Sequence, residues 1–276
     1  MAIEDKVRDG LPLDDVLIVD AHAHLGACAD GRMYIPTPDA DTMVRLMDRM
    51  GVDLACINAS VTSPDYRKGN DLTAEAMRKY PDRFVGLARV NPHYPEDVRP
   101  ELERCFDKLG MKGIKIHPTC NDYPVDGKGY EDVWKFAGER RTFVLSHTWY
   151  GSSTCSPRMF AAIAKKYPDV SIILGHSGGS PKGYMEAIEV AREYPNIYLD
   201  LCGSLITGVW VERIVEAVGA ERVLYGTDFP FIDPFYEFGK VCFAGIGEEE
   251  KRKVLGLNMA EILRRAGWEP SSGSCG

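Results

Sequence analysis

The amino-acid sequence predicts a (β/α)8 barrel of the α/β class, and three observations lead to this prediction. Eight apolar, β-branched runs recur along the chain, and such runs are typical of parallel strands that are covered on both faces. A helix candidate follows each of the first seven runs. The runs recur at intervals of about one βα unit, which favours a closed barrel of eight units.

The predicted elements alternate in a regular order, as a TIM barrel requires. The predicted strands span residues 16–24, 52–59, 84–92, 111–118, 142–147, 170–176, 196–203 and 222–230. The predicted helices span residues 39–50, 70–80, 95–109, 130–140, 157–167, 183–194 and 207–218. Asp39 and Asp71 lie near two helix starts, where N-caps belong, and Gly51, Gly110 and Gly219 lie near helix ends.

The main alternative to a barrel is a doubly wound open sheet. That fold calls for a glycine-rich phosphate loop after an early strand, and neither a GxGxxG nor a Walker pattern follows any predicted strand. We therefore expect one domain over residues 1–276, with a core at about 16–264. Residues 1–12 and 271–276 are expected to be peripheral.

Composition and charge exclude several classes of function. The chain has 276 residues, of which 45% are hydrophobic, and its formal net charge is −8. This charge argues against nucleic acid or an anionic membrane as a partner, and no apolar run is long enough to span a bilayer. We expect a cytoplasmic protein whose eight cysteines are thiols rather than disulfides, with a homodimer as an open option.

Histidines recur at the ends of the predicted strands. The first strand ends in His22-Ala-His24, and residues at positions i and i+2 of a strand share a face. The other polar side chains at strand ends are Lys115, His117, His147, His176 and Asp228. Neutral imidazole is the commonest protein ligand for a metal ion, and barrel enzymes place their chemistry at the C-terminal strand ends. The pattern therefore predicts a metal site there.

The segments around these residues resemble the amidohydrolase superfamily, and within it the amidohydrolase 2 group. The matching segments are DAHAHLG, GIKIHP, LSHT, LGHSGG and YGTDFP, in that order, and GLNMAEIL resembles the closing helix of the group. The resemblance extends from residue 16 to about residue 264. It implies a metal-dependent barrel enzyme, but it does not specify a substrate.

The resemblance also implies roles for individual residues. His22, His24, His147 and Asp228 would bind one divalent ion, preferably Zn²⁺ with Mn²⁺ as the alternative. Asp228 would also move a proton, and His176 would be the second catalytic residue. Lys115 leaves a second ion open, because a lysine at this strand bridges two metals in binuclear relatives. Its alternative role is a buried ion pair with Asp20.

Three residues are candidates for contact with a small-molecule substrate: His117, Arg32 and Trp149. The leading functional prediction is a hydrolase, in which a metal-activated water attacks a lactone, amide or ester of a small carboxylate. The alternative is a non-oxidative decarboxylase of an aromatic or unsaturated acid that uses the same metal site. A non-catalytic, ligand-binding barrel is the third possibility.

Overall fold

Eight parallel strands form one sheet in chain order, as the sequence predicts. The computed structural model describes residues 1–26, 38–59, 65–203 and 205–269. Each strand pairs with the next along the chain. The strands are β1 Val19–Leu25, β2 Leu54–Ala59, β3 Phe84–Arg89, β4 Gly113–Ile116, β5 Phe143–His147, β6 Ser171–Gly175, β7 Ile197–Asp200 and β8 Val223–Leu224.

Helices alternate with these strands and cover the outside of the sheet. The helices are α1 Ile3–Arg8, α2 Ala40–Met50, α3 Tyr66–Lys79, α4 Pro95–Glu103, α5 Pro118–Asn121, α6 Glu131–Arg140, α7 Phe160–Lys166, α8 Pro181–Glu193, α9 Gly208–Val218, α10 Pro234–Cys242, α11 Glu248–Arg252 and α12 Asn258–Arg265. Short π-helical segments extend α4 at Arg104–Lys108 and join α11 to α12 at Lys253–Leu257. None of the helices in the described ranges is long and apolar enough to cross a membrane.

The helix caps agree with the sequence at α2 and differ at α3. The carboxylate of Asp39 accepts a hydrogen bond of 2.8 Å from the backbone N–H of Thr42, and Gly51 ends α2 in a left-handed conformation. Helix α3 begins before residue 70, because the carboxylate of Asp65 already caps it by accepting from the N–H of Lys68. The prediction that Asp71 lies at the start of this helix was wrong.

The barrel closes between its last and first strands through an irregular segment. Strand β8 ends at Leu224, before the predicted residue 230, but the chain continues alongside β1. The N–H of His24 donates to the carbonyl oxygen of Phe229 at 2.7 Å, and the N–H of Asp228 donates to that of His22 at 2.7 Å. Closure by main-chain hydrogen bonds therefore brings Asp228 next to the first strand.

A β-bulge divides β1 into two halves. Val19 and Ala21 pack inside the barrel with side chains from the other strands, such as Leu54 and Phe143. The pairing of β1 with β2 shifts by one residue between Asp20 and Ala23. The extra residue lets His22 follow Ala21 on the same inner face, which strict alternation would forbid. Both strand-one histidines therefore point into the barrel above an apolar floor.

The N-terminal segment, predicted to be peripheral, is anchored at α1. Ile3 is buried in the hydrophobic core, and its backbone N–H donates to the carboxylate of Glu248 at 2.9 Å. This contact joins α1 to the start of α11.

Candidate active site

The C-terminal strand ends bring their polar side chains together. His22 and His24 lie on β1, His147 is the last residue of β5, and His176 directly follows β6. The ring centroid of His22 lies 5.0 Å from that of His24 and 5.2 Å from that of His176. The rings of His176 and His147 are 4.7 Å apart. Histidines from three parts of the sequence are thus neighbours in space.

Three of the predicted metal ligands form a compact donor group. Oδ1 of Asp228 lies 2.9 Å from Nε2 of His24 and 3.5 Å from Nε2 of His22. The three ligand atoms lie within 4.8 Å of one another, so the side chains present fit one small divalent ion. Burial lowers the pKa of His22 to about 3 and also lowers the pKa of His24. Both rings are therefore neutral, as metal ligation requires.

The backbone at Asp228 is unusual and helps to aim its carboxylate. Its φ angle is 54°, in the left-handed region that side chains other than glycine seldom adopt. The hydrogen bond from its N–H to His22 holds this conformation. Burial alone would raise the pKa of Asp228, but His176, His24 and His22 outweigh burial and hold the pKa well below its ordinary value. Asp228 is therefore ionised.

Asp200, at the end of β7, is a site residue that the sequence analysis missed. Its carboxylate is fully buried, and Oδ2 lies 2.7 Å from Nδ1 of His22. Burial opposes ionisation, but the interaction with His22 leaves the pKa of Asp200 below its ordinary value. The hydrogen bond keeps the ring proton of His22 on Nδ1 and leaves Nε2 available to a metal. The only sequence feature that could have indicated Asp200 is its position as a single charged residue near the end of the apolar run NIYLDLCG.

Cys202 is the second residue that the sequence analysis missed. Its thiol is buried, and Sγ lies 3.1 Å from Nδ1 of His22 and 3.2 Å from Nδ1 of His176. Sγ also donates to Oδ2 of Asp200 at 2.9 Å. Burial raises the pKa of Cys202 well above its ordinary value, so the thiol is protonated. With His22 and His176 it forms a second compact donor group.

Stacked rings form the opposite side of the site. The ring of His147 stacks on His117 with centroids 4.0 Å apart, and on Trp149 with centroids 5.9 Å apart and planes nearly parallel. Trp149 is 47% exposed, so one end of the stack faces the solvent. Nδ1 of His117 accepts from the backbone N–H of Cys120, which places the ring proton of His117 on Nε2.

The remaining described residues that were predicted for the site lie at different distances from the compact donor group. His147 borders the site but belongs to neither of the compact donor groups found among the described residues. Lys115 is buried with Nζ 2.5 Å from Nε2 of His22, and burial lowers its pKa to about 8. The predicted partner of Lys115, Asp20, instead accepts hydrogen bonds from Thr227. Arg32 lies outside the described residues.

Several curated relatives of this chain are decarboxylases. Gamma-resorcylate decarboxylase from Polaromonas sp. is 26% identical over 274 residues, covering 78% of this chain and 84% of that enzyme. The 2-amino-3-carboxymuconate-6-semialdehyde decarboxylase of Dictyostelium discoideum is 24% identical over 237 residues, covering 70% of this chain and 65% of that enzyme.

Solved structures show the same barrel fold. The 2,6-dihydroxybenzoate decarboxylase from Rhizobium superposes with a TM-score of 0.72 at 19% identity, covering 90% of this chain and 99% of that one. The 5-carboxyvanillate decarboxylase from Novosphingobium aromaticivorans, solved with manganese, has a TM-score of 0.72 at 16% identity, covering 90% of this chain and 96% of that one.

These relatives overturn the leading functional prediction. Hydrolysis by a metal-activated water was the first expectation from the sequence, and this prediction was wrong, because the characterised relatives and structural neighbours named above are decarboxylases. The reason is chemical. Imidazole and carboxylate ligands at these strand ends serve either reaction, so the ligand pattern could not choose between them.

The family itself is confirmed over almost the whole barrel. The sequence model of the amidohydrolase family, Amidohydro_2, matches residues 19–265, from the start of β1 to the end of α12. The match includes both strand-one histidines and the strand-eight aspartate, which the structure brings together across the closing strands. The chain is an enzyme and belongs to the amidohydrolase family.

Proposed function

We propose that this enzyme is a metal-dependent, non-oxidative decarboxylase of an aromatic acid. The observation that carries the proposal is the compact group of His22, His24 and Asp228, beside Lys115 and His176, in a chain that is similar to gamma-resorcylate decarboxylase over most of its length. These side chains offer metal ligands, a buried cation and proton carriers within one cluster.

His22, His24, His147 and Asp228 are assigned as the ligands of the ion. A bound divalent ion, Zn²⁺ or Mn²⁺, would supply a Lewis acid that holds an anionic oxygen of the substrate. Asp200 supports this assignment, because its hydrogen bond to Nδ1 orients the ring of His22. Lys115 adds positive charge beside His22 and so favours a carboxylate substrate.

Decarboxylation of an aromatic acid requires a proton at the ring carbon that bears the carboxylate. The carbon–carbon bond then breaks, its electron pair restores the aromatic ring, and CO₂ leaves. Asp228 and His176 are assigned to relay this proton from the solvent, because both lie at the site and Asp228 contacts His24 directly. Asp228 is ionised at rest, so it takes up the proton before it passes it to the ring carbon. This reaction requires no external oxidant or reductant.

The stacked side of the site suits a flat substrate. His147 and Trp149 present nearly parallel rings, and Trp149 is partly exposed at the end of the stack. An aromatic acid can pack against this surface while its carboxylate points towards the ligand side. This arrangement favours an aromatic substrate over an extended aliphatic one.

The direct test is a decarboxylation assay after loading with Mn²⁺ or Zn²⁺. The purified protein is incubated with 2,6-dihydroxybenzoate or 5-carboxyvanillate, and CO₂ and the aromatic product are both quantified. We expect one CO₂ and one decarboxylated phenol for each acid consumed, and at least a ~10³-fold loss of rate in Asp228→Asn. Turnover of esters or lactones without release of CO₂ from any aromatic acid would contradict the proposal.

A further inference from the structure

Asn58, near the C-terminal end of β2, has a buried side chain whose polar atoms find no partner in the described part of the chain. The residue is completely inaccessible to solvent, and neither Nδ2 nor Oδ1 has a hydrogen-bond partner among the described residues. Buried amides are nearly always hydrogen-bonded, because leaving both polar atoms unsatisfied costs free energy. An unsatisfied amide at a strand end beside a catalytic site therefore calls for a functional explanation.

A second unsatisfied atom lies on the neighbouring strand. Nδ1 of His24 is buried and also has no hydrogen-bond partner among the described residues. His24 and Asn58 are register partners in the parallel pair β1–β2, so their side chains extend from the same face of the sheet. Leu54 and Cys56 pack inside the barrel, and alternation along β2 places Asn58 on that inner face too.

The two strand-one histidines therefore differ in the hydrogen bonding of Nδ1. Nδ1 of His22 has Asp200 as its partner at 2.7 Å, whereas Nδ1 of His24 has none among the described residues. Histidines that bind a metal through one ring nitrogen almost always donate the other ring N–H to a carboxylate, a carbonyl or water. The carboxamide oxygen of Asn58 is an acceptor at the neighbouring register position.

We propose that Asn58 is the positioning residue of His24, with its Oδ1 accepting the Nδ1–H of His24 when Nε2 binds the ion. In the structure, Nε2 of His24 lies 2.9 Å from Oδ1 of Asp228, so the ring proton lies on Nε2. Metal binding at Nε2 requires the proton to move to Nδ1, and a rotation of the Asn58 side chain from the neighbouring register position would supply an acceptor for it. The tautomer that binds metal is thereby stabilised.

The test compares metal affinity with stability in the absence of substrate. Asn58→Leu keeps the approximate volume and removes the acceptor. We expect its affinity for Mn²⁺ or Zn²⁺, measured by competition with a chelator, to fall by about 10- to 100-fold. The melting temperature of the metal-free variant should stay equal or rise, because the substitution removes an unsatisfied buried amide.

Two further variants separate positioning from packing. Asn58→Asp retains an acceptor at the same place and should recover most of the metal affinity lost in Asn58→Leu. Asn70→Leu is the matched control, because the buried amide of Asn70 is already bonded to the carbonyl oxygen of Arg89 at 2.9 Å. This control should lower the melting temperature and leave the metal affinity unchanged.

An Asn58→Leu variant that binds metal within twofold of the wild type would overturn the inference, and so would a failure of Asn58→Asp to recover affinity. The inference rests on the role of His24 as a metal ligand in the proposed function. Because metal affinity is measured without substrate, a protein that binds metal as expected but decarboxylates no aromatic acid would refute only the proposed function.

Discussion

The two sides of the active site are built in different ways. On the side of β1, β7 and β8, buried carboxylates hold neutral imidazoles by hydrogen bonds, as Asp200 holds His22 and Asp228 contacts His24. On the side of β4 and β5, rings hold one another by stacking, from His117 through His147 to Trp149. We call these the carboxylate side and the stacked side.

This difference separates two tasks. Hydrogen bonds to charged groups fix ring nitrogens in direction and protonation, which an ion requires of its ligands. Stacking fixes only the plane of a ring and leaves a flat surface at its end, which an aromatic ligand can use. We infer that the carboxylate side mainly holds the ion and that the stacked side mainly holds the substrate, with His147 where the two meet.

The strongest test of this division of tasks is to replace His147 and His176, the two histidines that lie between the carboxylate side and the stacked side. We expect His147→Ala to lose both bound metal and activity, whereas His176→Ala should lose about 10²- to 10⁴-fold in kcat and keep its metal. Metal content is measured by elemental analysis, and kcat by product formation. The reverse pattern would show that the two roles are exchanged.

A smaller effect is expected from the partner of His22. Asp200→Asn keeps the shape of the side chain but weakens its hold on Nδ1 of His22. We expect metal affinity to fall by about 10- to 100-fold, with kcat partly restored at saturating metal. A chelator titration gives the affinity. An unchanged affinity would remove Asp200 from the carboxylate side.

A change on the stacked side should alter substrate binding alone. Trp149→Leu removes the outer ring of the stack, while metal content should remain that of the wild type. Aromatic stacking is worth about 0.5–1.5 kcal/mol, so we expect KM for an aromatic acid to rise by about 2- to 12-fold with little change in kcat. Loss of metal in this variant would contradict the division between the sides.

The last effect bears on stability rather than on activity and concerns a buried Glu–Lys pair behind the carboxylate side. Glu237 and Lys240 of α10 are joined at 2.5 Å, and the Glu237 carboxylate accepts from the N–H of Gly203, the residue after Cys202. Burial outweighs the attraction of Lys240 and raises the pKa of Glu237 from 4.5 to about 8. The folded protein therefore holds this proton more tightly than the unfolded chain does.

The sign of the pH effect follows from that difference. Between pH 4.5 and about 8 the unfolded chain releases the Glu237 proton while the folded protein retains it. The contribution of Glu237 to the free energy of unfolding should fall as pH rises through this window, by at most about 1.4 kcal/mol per pH unit, and level off above it. Thermal unfolding of the wild type and Glu237→Gln at several pH values measures this. A difference in melting temperature that is constant with pH would contradict it.

Most of the fold could be predicted from the sequence, because apolar runs indicate barrel strands and capping residues indicate helix ends. The sequence was less informative about element boundaries that are set by individual hydrogen bonds. Strand eight was predicted too long, because residues 225–229 run beside β1 as an irregular segment. Helix α3 was predicted too short, because Asp65 rather than Asp71 caps it.

The same limit applies to the site. The grouping of His22, His24 and Asp228 could be predicted, because few residue types bind metals and the positions of these three near strand ends were visible. Asp200, Cys202 and Asn58 were missed because a single polar residue in an apolar strand reveals neither its neighbours nor its hydrogen bonds. Only the register between β1 and β2 pairs His24 with Asn58, and only the structure shows the bulge on β1 that turns both histidines inward.

The hydrogen bonds between the segment after β8 and β1 have a consequence for biosynthesis. His24 and Asp228 are separated by 204 positions, so the strand-one histidines emerge from the ribosome long before their carboxylate partner. A nascent or truncated chain that ends before residue 228 carries the histidines but lacks the compact donor group. If these side chains bind the ion as proposed, the complete site can form only after the segment that follows the last strand is in place.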